Sequence, residues 1–250
     1  LEIAPGLGEV IAPARGEQIG VAALGSAGLA EQAIMAARTA FEHSDWASEP
    51  RLRARVLDAF ADQLESQGEE LVELLVRENG KLRSQAAHEI AAGVSEARYY
   101  SGLARNIFGR TMETGRGKLS YLTREPCGVV SVIVPWNAPV TLLVRSVAPA
   151  LAAGCSVVVK PAEETSLTAL RVAELATEAG LPRGVLGALE DMVVSPTVPD
   201  LTVIRDLPAE RMCHELCPET DADDGEFAGV GVANELCHAA EPGRIVRDVR

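Results

Sequence analysis

The sequence predicts an α/β fold: an N-terminal helical layer plus a partial doubly wound parallel sheet, with an irregular acidic C-terminal tail. Three observations carry that prediction. Apolar positions recur at helical spacing through most of the first hundred residues. Two β-branched runs, GVVSVIVP at 128–135 and SVVVK at 156–160, flank a long apolar stretch of helical length. Finally, residues 191–250 hold thirteen Asp/Glu against five Arg, so the preceding 190 residues carry only −5 of the −13 net charge.

The elements follow in chain order. Residues 16–26 (GEQIGVAALGS) read as a short strand bounded by glycines. From Leu29 to Glu42, Ala33, Ala36, Ala37, Ala40 and Phe41 line one helical face. Pro50 stands where a first helical turn tolerates proline, and the helix it opens runs to Gln67 with Leu57, Phe60, Ala61 and Leu64 on one side. A further helix reaches Glu78 and stops at Asn79-Gly80; another spans Ser84–Arg105. LSYLTREP from Lys118 alternates like a half-exposed strand. Then come the strand at 128–135, a helix over 138–153 ended by Gly154, the strand at 156–160, and a helix over Thr165–Ala179 ended by Gly180. Gly184–Leu189 is read as a third strand. Strand, helix, strand, helix, strand within about sixty residues is the βαβαβ half of a doubly wound sheet, with parallel strands. Beyond 190, Pro196, Pro199, Pro208, Pro218 and Pro242 interrupt any long element, and Val230–Asn234 is a strand or a loop.

Composition bounds the function classes. The 250 residues, 47% hydrophobic and 24% charged, suit one large soluble domain or two modest ones. No window of eighteen uninterrupted apolar residues exists, and LEIAPGLGEV lacks the basic and apolar regions of a signal peptide. Five cysteines, an odd number, argue for a reducing compartment, so the expected localisation is cytoplasmic. The net charge of −13 disfavours nucleic acid or an anionic membrane as partner.

In open α/β sheets, ligands sit beyond the carboxyl ends of the strands. One such end is Pro135-Trp136-Asn137-Ala138-Pro139. There the Asn137 amide either donates hydrogen bonds to a developing oxyanion or caps the following helix. The other end is Lys160-Pro161-Ala162-Glu163. Lys160 and Glu163 either hold the vicinal hydroxyls of a ribose, or reach solvent and a helix start. A carboxylate there repels an added 2′-phosphate, favouring NAD over NADP. The glycine-rich G-x-G-x-x-G turn is absent, PWNAP standing in its place.

These stretches, in this order, resemble the aldehyde dehydrogenase superfamily. The residues that carry the resemblance are EPCG at 125–128, VVSVIVPWNAP, and APALAAGCSVVVKPAEETSLTALRVAELATEAGLPRGV, with PARGE at 13–17, Trp46-Ala47, Arg53 and Glu78-Asn79-Gly80-Lys81 upstream. It covers roughly residues 10–189. It implies an oxidoreductase with an aldehyde dehydrogenase-like, NAD(P)-binding cofactor domain over 1–190, incomplete and truncated, followed by a non-family, loosely ordered acidic tail at 191–250. It assigns Asn137 to the oxyanion. Ile133, Val134, Pro135 and Trp136 fall at the strand end beside the cofactor, and Lys160 and Glu163 on its ribose. Ala138 departs from the Phe of many members, which bears on the substrate entrance.

The family's chemistry also needs a thiolate and a general-base Glu, in G-Q-x-C and E-L-G-G-K type stretches that this sequence lacks. Cys127 and Cys155 are expected to be core thiols. Cys213, His214, Cys217, Cys237 and His238 lack paired zinc spacing, so no metal site is expected. The implied function is NAD(P)-dependent oxidation of a small-molecule aldehyde to its acid, with the catalytic half absent from this chain. The alternative is a non-catalytic truncated or frameshifted remnant acting as a nucleotide-binding or interaction module. An unpaired sheet edge would drive homo-oligomerisation or self-association.

Overall fold

A computed structural model of the 250-residue chain describes residues 6–25, 27–186, 193–194 and 200–204. Strands β1 (Gly6–Ile11) and β2 (Gln18–Gly25) form an antiparallel hairpin. Four helices follow: α1 (Ala27–His43), α2 (Pro50–Ser66), α3 (Gly68–Asn79) and α4 (Arg83–Leu103). A second hairpin joins β3 (Arg110–Gly115) to β4 (Lys118–Leu122). The chain then runs through β5 (Val129–Ile133), α5 (Pro139–Ala153), β6 (Ser156–Lys160), a 3-10 turn at Glu163–Thr165, and α6 (Ser166–Glu178). Two short strands, β7 (Val193–Val194) and β8 (Asp200–Ile204), lie within the acidic tail; β8 pairs parallel with β2 and antiparallel with β7.

The expected helical layer and parallel strand pair are both present. Strands β5 and β6 pair in parallel from Val129 opposite Ser156 to Ile133 opposite Lys160. Alternation sends successive side chains of β6 to opposite faces. Val157 and Val159 pack with Val132 into the main core beside α5 and α6, while Val158 packs with Val129 against Ala30, Ala33 and Ala37 of α1. A strand covered on both faces needs apolar residues at every position, which is why SVVVK shows no polar alternation. The α2 face Leu57, Phe60, Ala61 and Leu64 is buried as its spacing predicts, together with Val56 and Arg53. Arg53 lies in the core because three backbone carbonyls satisfy it. Its Nε donates to Ala152 O at 2.9 Å, and its Nη1 donates to Trp46 O at 2.7 Å and Ala47 O at 2.9 Å.

Three local readings change. The predicted third strand, Gly184–Leu189, begins as a turn over 183–186, and its remainder lies outside the described residues. Gly184 has φ +82°, a left-handed conformation that no extended strand adopts. Val157 N nonetheless donates to Val185 O at 2.7 Å, so this turn covers the free edge of β6. The β3 strand was not expected, and it is exposed at every position. Its sequence, RTMETG, has no buried face to impose an apolar period. Cys127 is exposed rather than a core thiol, whereas Cys155 is buried as expected. Val230–Asn234 and the tail cysteines and histidines lie outside the described residues.

Candidate functional site

The register of β5 and β6 places Ile133 directly opposite Lys160, and Val134 N donates to Lys160 O at 3.0 Å. Two sequence segments 27 residues apart thus end side by side at one edge of the sheet. Val134 is buried and Pro135 and Lys160 are half-buried, whereas Ile133 and Trp136 are 47% and 55% exposed. Large apolar side chains so exposed at a strand end form a surface that a flat organic ring can cover. Glu163 follows Lys160 after one proline and one alanine; it stands exposed at the start of the 3-10 turn.

Asn137 does not cap α5. The N-cap position is Ala138, without a side-chain cap bond, and Pro139 opens the helix. The capping acceptor comes from α4 instead. Glu89 Oε1 accepts the Val140 N–H at 2.8 Å and the Thr141 N–H at 3.4 Å. Among the described residues the exposed Asn137 side-chain amide has no hydrogen-bond partner, so its donors are available to a ligand.

The turn that carries Trp136 and Asn137 is held by its backbone. Asn79 Nδ2 donates to Trp136 O at 2.7 Å, and Lys81 Nζ donates to Asn137 O at 3.1 Å while pairing with Glu89. Gly80 sits between these two donors at φ +74° and caps α3 in the left-handed conformation. That conformation turns the chain so that residues 79 and 81 both face the 136–137 turn. A Cβ at Gly80 would also lie 2.8 Å from Pro13 Cγ. The ENGK segment, read in the sequence as a helix stop and a family likeness, is therefore the support of this turn. Its spacing gave no sign of that role, because the bonds span 56 and 57 residues.

Glu78 caps the helix that follows the second strand end. Its carboxylate accepts the Leu167 N–H at 2.7 Å, the Thr168 N–H at 2.8 Å and the Thr168 hydroxyl, at the start of α6. Burial pushes its pKa up to about 6, against the three hydrogen bonds that favour the ionised form.

A cavity of about 730 Å³ opens beside these supports, lined by Glu9, Ile11, Asn79, Trp136, Glu163 and Glu164 among others. It brings together Trp136 and Glu163 of the predicted residues; Ile133, Val134, Pro135, Asn137 and Lys160 are not in its lining. Its ionisable lining residues, Glu9, Glu78, Glu163 and Glu164, are all acidic. Such a lining accepts hydroxyl donors and repels phosphate. The cationic Lys160 lies outside it, at the strand end, where an anionic group would be favoured. Among the described residues no group of three or more His, Cys, Asp or Glu is placed to hold a metal ion, and no helix is long and apolar enough to cross a membrane.

Residues 5–196 match the model of the aldehyde dehydrogenase family, a span somewhat wider than the motifs at 10–189. Aldehyde dehydrogenase family 2 member C4 of Arabidopsis thaliana is 44% identical over 184 residues, covering 71% of this chain and 36% of that protein. Aminoacetaldehyde dehydrogenase of Pseudomonas aeruginosa is 43% identical over 182 residues, again covering 71% and 36%. Among solved structures, the NAD-dependent aldehyde dehydrogenase of Sinorhizobium meliloti superposes with a TM-score of 0.70 at 38% identity, covering 72% of this chain and 36% of that one. The betaine aldehyde dehydrogenase of Staphylococcus aureus in complex with NAD+ gives 0.70 at 36% identity, with the same coverage. The chain thus spans little more than a third of the length of these relatives.

Proposed function

Because the chain belongs to the aldehyde dehydrogenase family, we propose that residues 1–190 are a nicotinamide-dinucleotide-binding unit whose ligand lies over the carboxyl ends of β5 and β6. The observation that carries this reading is the register that sets Lys160 beside Ile133 and Val134, with Trp136 exposed one turn away. The residues fit the group: exposed apolar side chains for a ring, a cation for an anionic or hydroxyl oxygen, and a carboxylate for hydroxyl donors.

In this reading the Lys160 ammonium donates to a ribose oxygen and the Glu163 carboxylate accepts from the neighbouring hydroxyl. The same carboxylate opposes a 2′-phosphate, so NAD is preferred to NADP. Ile133, Val134, Pro135 and Trp136 supply an apolar wall that keeps water from one side of the ligand. The Asn137 side-chain N–H groups, free of capping duty, face a substrate carbonyl oxygen and stabilise the negative charge it gains when its carbon is attacked. Bound there, the cofactor supplies hydride acceptance for oxidation of an aldehyde to its acid. The nucleophile and general base belong to stretches this sequence does not contain, so turnover by the chain alone is not expected. Cytoplasmic location accords with the odd cysteine count. Self-association accords with Phe108, Met112 and Leu119 standing exposed on and beside the β3–β4 hairpin.

The test is binding of NAD+ and NADP+ to the full chain by titration calorimetry. Saturable NAD+ binding is expected, weakened at least tenfold by Lys160→Ala, with Glu163→Gln narrowing the preference over NADP+. An absence of saturable binding at millimolar NAD+, or wild-type affinity in Lys160→Ala, would overturn the assignment.

A further inference from the structure

At the opposite end of the same strand pair lies a second chemical site. Cys127 precedes β5 and Cys155 precedes β6, and their sulfurs are 3.5 Å apart. Parallel pairing explains the meeting. Val129 is opposite Ser156 and Ser156 N donates to Gly128 O at 3.0 Å, so the residues just upstream of each strand are also neighbours. Four strand residues on each chain, 129–132 and 156–159, separate this pair from Ile133 and Lys160, roughly 17 Å from Cys155 to Lys160 at the rise of an extended chain.

The two thiols differ in a way that suits them to sequential roles. Cys127 is exposed, and Cys155 is buried behind it. Gly128, which follows Cys127, has no side chain; a Cβ there would lie 3.3 Å from Arg38 Nη1. Gly154, which precedes Cys155, is likewise bare; a Cβ there would lie 3.2 Å from Arg53 Nη1. Arg53 thus comes close to the backbone just before Cys155, and Arg38, which also faces Glu42 at 3.8 Å, to the backbone just after Cys127. A hydrogen bond joins the two thiols, and with Cys155 as its donor it holds the Cys127 pKa down at about 7. Cys155 is pushed well up, by that bond and by burial. An accessible thiol with a lowered pKa beside a shielded one is the arrangement of an attacking and a resolving cysteine.

We propose that Cys127 and Cys155 form a thiol–disulfide exchange site that takes a small dialkyl disulfide, of the glutathione disulfide class, and ends as an intramolecular disulfide. The Cys127 thiolate attacks one sulfur of the small disulfide; that S–S bond breaks, and one thiolate leaves and takes up a proton. Cys155 then gives up its proton and attacks Cys127 Sγ, expelling the second small thiol. One small disulfide is reduced to two thiols while two protein thiols are oxidised to one disulfide, so protons and electrons balance. The sulfurs need to close by only about 1.5 Å to reach bonding distance. The site does not rest on cofactor binding, from which it is separated by the length of the sheet.

Incubating the full chain with glutathione disulfide, alkylating the residual thiols and digesting with trypsin tests this by mass spectrometry. Peptides 125–145 and 146–171 carry one of these cysteines each, since Lys160-Pro161 resists cleavage. The expected product is those two peptides joined, 2 Da lighter than their summed reduced masses. Cys155→Ser should instead accumulate a glutathione adduct on Cys127, and Cys127→Ser should leave Cys155 unmodified. An unmodified Cys127, a glutathione adduct on Cys127 of the wild-type chain without cross-linking, or cross-links from Cys127 to Cys213, Cys217 or Cys237 would each overturn the proposal. The wild-type measurement decides the matter even where a variant fails to fold.

Discussion

Glu78 on α3 and Glu89 on α4 reach from the helical layer to the N-termini of α6 and α5, the helices that follow β6 and β5. Each accepts the N–H groups of the second and third residues of its helix: Leu167 and Thr168 for Glu78, Val140 and Thr141 for Glu89. These are the donors that a local cap would satisfy, yet the N-cap positions hold Thr165 and Ala138 with no side-chain cap bond. The two differ in their countercharge. Glu89 is paired with Lys81, both side chains being about nine-tenths buried. Among the described residues Glu78 has no ion-pair partner and depends on hydrogen bonds alone. The difference shows what a cation adds beyond neutralisation. Lys81 spends another N–H on Asn137 O, so the Glu89 cap is also a strut under the candidate site, whereas the Glu78 cap ends at its helix.

The largest effect is expected from removing that cation. Lys81→Met leaves the Glu89 carboxylate buried and uncompensated, which costs about 3–5 kcal/mol in guanidinium unfolding. Adding Glu89→Gln should recover part of the loss, because the stranded charge goes with it. A loss below about 1 kcal/mol would mean that hydrogen bonds alone can hold a carboxylate at either helix, and the contrast would fail.

Glu78→Gln ranks next. An amide cannot accept from all three donors, so one buried group is left unmatched at a cost of about 1–3 kcal/mol. Its pH signature is sharper. The folded-state pKa of about 6 stands above the ordinary 4.5, so the folded chain holds this proton more tightly than the unfolded one. Stability contributed by the neutral form is fully present below pH 4.5 and is lost as pH rises through 6, about 2 kcal/mol in total. The stability advantage of wild type over Glu78→Gln should therefore shrink by about that amount between pH 4 and 7. A constant difference across that range would mean that the folded and unfolded pKa values of Glu78 coincide, and an advantage growing with pH would mark a lowered pKa, as in a paired carboxylate.

Much of the fold was legible in the sequence because its signals are local. SVVVK reads as a doubly covered strand from five residues, and the α2 face from seventeen. Membership of the family was legible too, through the motifs at 125–139 and 148–185 rather than through period. The supports of the site were not. Glu78, Glu89, Asn79 and Lys81 act across 51 to 90 residues, and in their local sequence they look like ordinary charged or helix-end positions. The β3–β4 hairpin escaped notice for the opposite reason. With no buried face, nothing imposes an alternating pattern on it.

The smallest energetic effect is expected at Asn79, and it separates holding the frame from holding the site. Asn79→Ala removes one hydrogen bond to Trp136 O at an exposed position, worth about 0.5–1 kcal/mol. Cap, salt bridge and core stay in place, so unfolding should barely change. The turn, by contrast, loses one of its two side-chain tethers, leaving only Lys81. The two tryptophans give a direct reading. Trp46 is fully buried and Trp136 is 55% exposed, so a collisional quencher such as acrylamide acts mainly on Trp136. Quenching should rise in Asn79→Ala with stability nearly preserved. Equal quenching would show that Lys81 alone fixes the turn. A stability loss matching that of Lys81→Met would place Asn79 in the frame, and the strut under the site would then be inseparable from the cap that carries it.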